Sequence, residues 1–282
     1  MARQCDPVPA ATLYPSEHLP DVPTSVHPVL RAATLAAVSA VHLARRDGGR
    51  DALIEVVGDG ADGTPTSRLD RLAEDAILEA VEPLGVNVLS EECGFVDHGS
   101  ALTLVVDPVD GTGNAAAGLP LAAFTAALAL DGVLTEALTY WLDGGSWWHA
   151  RRGVPAAMRT TGRRTLDGAL VSMIRPKADS RGFLAVAARA DRTRVLGSSA
   201  LEAAWVAAGI LDASLDAGSD THRYVDVAAA VVLVEAAGGA VVDLHGRSLE
   251  FTTEITRRWS VVVAASVPLA EDVVRTVLEA QR

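Results

Sequence analysis

The sequence of 282 residues contains only two cysteines, Cys5 and Cys93, which excludes the disulfide framework of a small secreted protein. Aromatic residues make up 4% of the chain, although apolar residues make up 49% of it. The core must therefore be built mainly from Ala, Val and Leu. That composition favours helices packed on sheets over an aromatic-rich β-sandwich.

Long apolar runs are also missing from the sequence. The stretch 121–130 ends at Asp131 and is too short to span a bilayer. The first ten residues, MARQCDPVPA, lack the apolar run of a signal peptide. We therefore expect a soluble cytoplasmic protein.

Acidic residues outnumber Lys and Arg by 36 to 24, so the formal net charge is −12. An acidic surface repels nucleic acid and anionic lipid, and neither is expected as a partner. An anionic small molecule could still be attracted where a bound divalent metal reverses the local charge.

Three parts follow one another along the chain. Residues 1–28 are proline-rich and have little periodicity, which predicts an extended arm lying over the body of the protein or over a partner subunit. Residues 29–160 combine helices with consecutive strands, which predicts an N-terminal α+β half. Residues 161–282 alternate strands with helices, which predicts a C-terminal α/β half and an α/β (α+β) fold with helix-covered sheets.

Periodicity and turn signals place the individual elements. In the N-terminal half, helices are predicted from after Ser25 to Arg46 and at 67–81, and strands at 51–57, 86–89, 102–106, 122–130, 134–141 and 146–151. In the C-terminal half, strands are predicted at 169–174, 194–196, 213–216, 240–244 and 260–265, and helices at 183–190, 198–208, 226–237 and 269–281.

The segment Asp107–Thr112, DPVDGT, is the main candidate for chemistry. Pro108 biases the residue before it toward an extended conformation, so the chain can turn and bring the carboxylates of Asp107 and Asp110 together. The carbonyl group of Val109 would then point the same way. Oxygen donors of this kind are what Mg²⁺ prefers.

A plain exposed turn is the alternative interpretation of this segment, since Asp, Pro and Gly all favour turns. An EF-hand loop is excluded by Pro108 and by the missing acidic spacing. Within the segment, Gly111 permits a close backbone approach and Thr112 offers a hydroxyl group.

Three motifs in order along the chain resemble those of the inositol monophosphatase family. They are SEECG at 90–94, VVDPVDGTGN at 105–114 and VDVAAAVVLVEAAGG at 225–239. The family belongs to a lithium-sensitive superfamily with fructose-1,6-bisphosphatases, histidinol-phosphate phosphatases and 3′-phosphoadenosine-type nucleotide phosphatases. The resemblance covers roughly residues 30–280.

The resemblance implies a layered αβαβα fold, a homodimer, Mg²⁺ as cofactor and hydrolysis of a small phosphate monoester. It implies a two-metal site formed by Glu91, Asp107, the carbonyl group of Val109, Asp110 and Asp226. Thr112 and Glu91 would orient the attacking water and help to deprotonate it.

Substrate contacts are implied for a second set of residues: Asp110, Gly111, Thr112, Gly197, Ser198, Ser199, Asp216 and Asp226. Gly197–Ser199 would look the same as plain helix capping. Asp70 resembles a residue that feeds a third metal site and is implied in catalysis, although Ser67 and Asp70 also form a capping-box-like helix start.

The substrate is less defined than the reaction. Gly113, Ala115 and Val225 replace the residues usual in the family, so a sugar phosphate or histidinol phosphate is as credible as an inositol phosphate. A bisphosphate phosphatase is an alternative, for which Arg163, Arg164, Arg175, Lys177 and Arg223 could supply cations. A non-catalytic, metal-binding relative is a remote alternative.

One apparent motif is rejected. The segment 58–63, GDGADG, has the G-x-G-x-x-G spacing of a dinucleotide site. Asp59 and Asp62 would repel a pyrophosphate, and Pro65 delays the next helix. We expect a mobile loop near the mouth of the site instead.

Overall fold

Two large β-sheets alternate with helices in this computed structural model, which describes residues 20–177 and 179–282. The helices are α1 Pro28–Asp47, α2 Arg50–Leu53, α3 Arg68–Val81, α4 Thr112–Ala117, α5 Arg181–Arg189, α6 Ser199–Ala207, α7 Tyr224–Ala236 and α8 Val267–Gln281. The strands are β1 Val56–Asp59, β2 Pro65–Ser67, β3 Asn87–Ser90, β4 Gly94–Val96, β5 Leu102–Asp110, β6 Ala123–Leu130, β7 Val133–Trp141, β8 Trp147–Arg151, β9 Leu170–Met173, β10 Arg192–Arg194, β11 Ala213–Leu215, β12 Ala240–Asp243 and β13 Val261–Ala264.

The larger sheet has six strands in the order β4-β3-β5-β6-β7-β8. Its strands pair antiparallel except for β3 and β5, which are parallel. The smaller sheet has five strands in the order β10-β9-β11-β13-β12 and mixes parallel with antiparallel pairs. The predicted boundary near residue 160 falls between the two sheets.

The helices and the two large sheets form five layers, with three apolar clusters packed between them. Their order is the αβαβα order that the resemblance implies. Helices α1 and α3 cover one face of the larger sheet. Helices α6 and α7 fill the space between the two sheets. Helices α5 and α8 cover the outer face of the smaller sheet.

Helix α7 lies in the middle layer, and its sequence explains why. YVDVAAAVVLVEA is apolar on every side, which is typical of a helix that is surrounded by protein. Helix α3 instead has one apolar stripe, with Leu69, Ala73 and Ile77 buried against its neighbours. Asp226, the third residue of α7, is thereby brought to the larger sheet.

Most predicted elements are confirmed within a few residues, but two segments differ. The strand predicted at 51–57 is wrong in its first half, where Arg50–Leu53 forms helix α2. The glycine-rich segment that follows closes a hairpin, because β1 and β2 pair antiparallel on either side of it. Strands β2 and β4 are absent from the sequence-based prediction.

The proline-rich arm is only partly described, since residues 1–19 lie outside the described residues. In its last part, Val22 and Val26 are buried in the core beside α1. The side chain of His27 caps α1 by accepting a hydrogen bond from the backbone N–H of Val29 at 3.2 Å. Residues 20–27 therefore belong to the packed body. Within the described part of the chain, no helix has both the length and the apolar character needed to cross a bilayer.

Candidate active site

A β-bulge shapes the segment Asp107–Thr112. Asp107 lies opposite Thr125 of β6 and Asp110 lies opposite Ala123, so three steps on β5 match two on its neighbour. Pro108, which has no N–H to donate to the ladder, occupies this interruption. The predicted turn is therefore wrong in form: β5 continues through Pro108 and Val109 as a bulged strand.

Parallel pairing brings Glu91 next to Asp107. Strand β3 ends at Ser90 opposite Val106 of β5, so the residue after each of these positions lies at the same edge of the sheet. Asp226 approaches from α7. Oxygen atoms of Glu91, Asp107 and Asp226 all lie within 4.8 Å of one another.

This carboxylate cluster, Glu91, Asp107 and Asp226, has the chemistry of a divalent-metal site. Burial raises the pKa of Glu91 to about 8, with repulsion from Asp226 and Asp70 adding to the effect and Arg223 opposing it. Burial also raises the pKa of Asp107, and Glu91, Asp110 and Asp226 add to it. Positive charge is needed to hold these groups ionised together. Arg223 supplies part of it, and the three carboxylates are also ligands of the kind that a hard divalent cation prefers.

Asp110 is held by the start of α6 rather than by the cluster. Its carboxylate accepts hydrogen bonds from the Ser198 hydroxyl at 2.5 Å, the Ser199 hydroxyl at 3.2 Å and the Ala200 N–H at 2.8 Å. Burial raises the pKa of Asp110 to about 6, although the hydrogen bond from Ser198 lowers it. Ser198 and Ser199, predicted to contact substrate, both donate to Asp110.

The hydroxyl group of Thr112 lies between two oxygen acceptors. It is 2.7 Å from Oδ1 of Asp70 and 2.9 Å from the carbonyl oxygen of Val109. The other oxygen of Asp70 accepts a hydrogen bond from the Ser67 hydroxyl at 2.8 Å, while Ser67 also caps α3. Asp70 is therefore a helix-start residue, as predicted, and it also accepts a hydrogen bond from Thr112. Its predicted role in metal binding and catalysis stays a prediction.

Gly111 joins β5 to α4 where two segments approach closely. Its φ is +84°, a conformation that glycine adopts without strain. A Cβ atom there would lie 2.8 Å from the carbonyl oxygen of Leu121 and 3.1 Å from that of Gly197. The site loop therefore requires glycine at this position.

Asp216 orders a loop beside the site. Its carboxylate accepts hydrogen bonds from the backbone N–H groups of Gly218, Ser219 and Thr221 at 2.8 to 3.1 Å. The side chain is buried. Its predicted contact with a substrate hydroxyl group stays a prediction.

Residues next to Glu91 support its position. Glu74 of α3 accepts a hydrogen bond from the backbone N–H of Cys93 at 3.0 Å, and Thr66 of β2 donates to Glu92. Burial raises the pKa of Cys93 to about 12, with the negative charge of Glu74 adding to it, so its thiol stays protonated. Cys93 packs against the core rather than acting as a nucleophile.

Arg223 is the site residue that sequence reasoning placed least well. The sequence suggests Arg223 only as a cation for a second phosphate. In the structure its guanidinium group pairs with Glu91 and lies 3.2 Å from Asp226. Arg223 precedes α7, three residues before Asp226, and that spacing was an available signal. Asp62 of the rejected glycine-rich motif also lies here, 3.4 Å from Arg223 and 2.6 Å from Arg258.

Known proteins resemble this chain in sequence and in fold. The sequence model of the inositol monophosphatase family matches residues 25–282. A Thermococcus kodakarensis protein named fructose-1,6-bisphosphatase/inositol-1-monophosphatase is 36% identical, over 81% of this chain and 87% of that protein. The fructose-1,6-bisphosphatase of Pyrococcus furiosus is 33% identical, over 82% and 87% respectively. The crystal structure of extragenic suppressor protein suhB from Bartonella henselae gives a TM-score of 0.75 at 26% identity, over 89% and 98%.

The layered αβαβα fold places a largely buried carboxylate cluster, suited to a metal ion, at the edge of one sheet. The match of the family model to residues 25–282 identifies the family. The chain belongs to the inositol monophosphatase family, and it is a phosphatase that hydrolyses phosphate esters.

Proposed function

We propose that this protein is a Mg²⁺-dependent phosphatase of a small phosphate monoester, namely an inositol phosphate, a sugar phosphate or histidinol phosphate. The observation that supports it most is the approach of Glu91, Asp107 and Asp226 oxygens to within 4.8 Å of one another. Carboxylates converge so closely at a buried site when a cation neutralises them.

The ligands that we propose are the carboxylate cluster, the carbonyl group of Val109 and Asp110. Mg²⁺ bound there supplies Lewis-acid activation of the phosphoryl group and neutralises the carboxylates. The protein holds this set in place from three directions, with Glu91 after β3, Asp107 in the β5 bulge and Asp226 on α7.

Glu91 and Thr112 orient the attacking water in this proposal, and Asp70 assists them. When the Thr112 hydroxyl donates to Asp70, its oxygen is free to accept a hydrogen bond from water. Asp70 is itself fixed by Ser67, so the direction of the hydroxyl is defined before substrate binds. Such positioning of a proton acceptor is typical of general-base assistance.

The substrate phosphate is proposed to lie against the backbone of Gly111 and Thr112, between Asp110 and Asp226. Gly197, Ser198 and Ser199, at the start of α6, would bound this space. In this proposal Ser198 and Ser199 act partly through Asp110, to which they donate hydrogen bonds. Asp216 is proposed to contact a substrate hydroxyl group.

Hydrolysis of a bisphosphate is the second candidate, because the Pyrococcus furiosus relative is named a fructose-1,6-bisphosphatase. It requires cations for the second phosphate. Arg163 pairs with Asp212 at 3.0 Å and donates to the carbonyl group of Asp167, and Arg223 pairs with the carboxylate cluster. These are two of the five candidate cations, and the metabolite panel described next distinguishes a bisphosphate from a monoester substrate.

Phosphate release from a panel of metabolites tests this proposal. The panel contains inositol phosphates, histidinol phosphate, fructose 1,6-bisphosphate and phosphoadenosine phosphate, each with Mg²⁺ and with EDTA. Asp107→Asn should lower kcat/KM by a factor on the order of 10² to 10³ or more. Asp191→Asn, at an exposed ion pair, is the matched control. EDTA-resistant activity, or an active Asp107→Asn variant, would refute the metal mechanism.

We also propose a cytoplasmic homodimer, which rests on the family resemblance and on the scarcity of cysteine. Light scattering on the purified protein measures the oligomeric state directly. A mass near 29.3 kDa, that of one chain, would exclude the dimer.

A further inference from the structure

Arg223 occupies a position where positive charge is already needed. Its guanidinium group pairs with Glu91, and its Nη2 atom lies 3.2 Å from Oδ1 of Asp226. These are two of the three carboxylates of the cluster. The side chain of Arg223 is only 17% exposed, so solvent screens these contacts weakly.

The guanidinium group and a divalent ion would compete for these carboxylates, because Arg223 already contacts Oε1 of Glu91 and both oxygens of Asp226. A metal bound by Glu91 and Asp226 requires their lone pairs at about 2 Å. A guanidinium group at hydrogen-bond distance from those oxygens would also face a divalent charge at close range. Metal binding therefore opposes the contacts that Arg223 makes here.

A second acceptor for Arg223 already lies beside it. Oδ2 of Asp62 is 3.4 Å from Nη1 of Arg223, and this carboxylate is fully buried. Asp62 also pairs with Arg258 at 2.6 Å, so it is held in place independently of Arg223. A small rotation of the guanidinium group would exchange Glu91 for Asp62.

The hairpin loop that carries Asp62 is fastened to Glu92, the residue after Glu91. The backbone N–H of Ala61 donates to the carbonyl group of Glu92 at 3.0 Å. Gly60 packs so tightly against Glu92 that a Cβ atom there would lie 2.7 Å from its carboxylate. Asp62 is therefore presented to Arg223 from a fixed position.

We propose that Arg223 is a built-in competitor for the divalent-metal site, which neutralises Glu91 and Asp226 when no metal is bound and transfers to Asp62 when metal binds. The inference rests on the proposed metal-dependent function. Arg223 and Asp62 would together set the affinity of the site for metal. The role of the glycine-rich loop would be to hold Asp62 beside Arg223.

Mn²⁺ alone is the probe for this inference, with free ion measured by electron paramagnetic resonance. Arg223→Gln should bind Mn²⁺ at least tenfold more tightly than the wild type, because the competing charge is gone. In EDTA the same variant should have a lower Tm, because Glu91 and Asp226 lose their counter-charge. The Mn²⁺ affinity and the Tm of Arg223→Lys should lie between those of the wild type and those of Arg223→Gln. Arg181→Gln, at an exposed pair with Asp179, controls for the change in net charge.

Asp62→Asn tests the second half of the inference. It should weaken Mn²⁺ binding in the wild-type background, where Arg223 loses its alternative acceptor, and should have no effect in the Arg223→Gln background. Equal effects in both backgrounds would overturn the transfer to Asp62. Unchanged or weaker Mn²⁺ binding by Arg223→Gln would overturn the competition. Failure of the wild type to bind Mn²⁺ would instead refute the proposed function.

Discussion

The Thr112 hydroxyl lies 2.7 Å from the carboxylate of Asp70, and this hydrogen bond joins the start of α4 to the first turn of α3. The pair links two segments that neither sheet connects. It also fixes the direction of the Thr112 hydroxyl group. Its loss should therefore affect catalysis more than stability.

Thr112→Val keeps the shape of the side chain but removes its hydroxyl group. We expect kcat to fall by a factor on the order of 10² to 10⁴, which is the usual contribution of general acid–base assistance. Mn²⁺ affinity should change little, because the carboxylate cluster is intact. Thr112→Ser should retain most of the activity, and an inactive serine variant would show that the hydroxyl is not the relevant group.

Asp110→Asn removes the charge that three donors at the start of α6 share. An amide offers one acceptor oxygen where the carboxylate offers two, so unfolding free energy should fall by about 1–3 kcal/mol. Phosphate release should also be abolished if Asp110 is a ligand as we propose. Ser199→Ala, which removes only the 3.2 Å hydrogen bond, is the milder control. Full activity of a folded Asp110→Asn variant would exclude Asp110 as a ligand.

Gly111→Ala places a Cβ atom 2.8 Å from the carbonyl oxygen of Leu121 on a residue with positive φ. We expect a loss of about 1–3 kcal/mol in unfolding free energy, the cost of a strained backbone. Gly113→Ala is the matched control, since a Cβ atom there meets nothing within 4 Å. Inside α4 it should be neutral or stabilising by up to about 1 kcal/mol. Equal stability of the two variants would contradict the steric argument.

Glu136 gives a pH-dependent prediction away from the site. Burial favours its neutral form, but hydrogen bonds from His149, Arg151 and the backbone N–H of His27 hold its pKa at about 2, below the usual 4.5. Because the folded pKa is the lower one, Glu136 stabilises the fold fully above about pH 4.5. That contribution is lost as the pH falls from 4.5 toward 2.

Urea unfolding of the wild type and of Glu136→Gln measures this effect. The variant should be less stable at pH 7, and the difference between the two proteins should shrink as the pH falls below about 4.5. A difference that is independent of pH would mean that packing, rather than the ionised carboxylate, sets the contribution of Glu136.

Much of the fold could be predicted from the sequence because its signals are local. Helix α7 is apolar on every side, and Ser67 marks the start of α3 three residues before Asp70. Where local signals conflict, the prediction failed. Residues 50–59 contain both a helix start after Gly49 and a β-branched run. The chain forms a short helix first and a strand after it.

The site was harder to predict, because its details depend on contacts between distant segments. The form of the segment Asp107–Thr112 is set by pairing with β6, and the sequence of the segment alone does not specify that register. Arg223 has a long side chain with several possible partners. Only the fold decides that Glu91 and Asp62 lie within its reach.

The burial of α7 between the two sheets has a consequence for the order of folding. Asp226 reaches Glu91 and Asp107 only after this helix has docked on the larger sheet, so the carboxylate cluster cannot form in a half-folded chain. Contacts between segments so far apart along the chain form late, since the intervening loop must close first. Recovery of Mn²⁺ binding during refolding should therefore lag behind recovery of the helical signal.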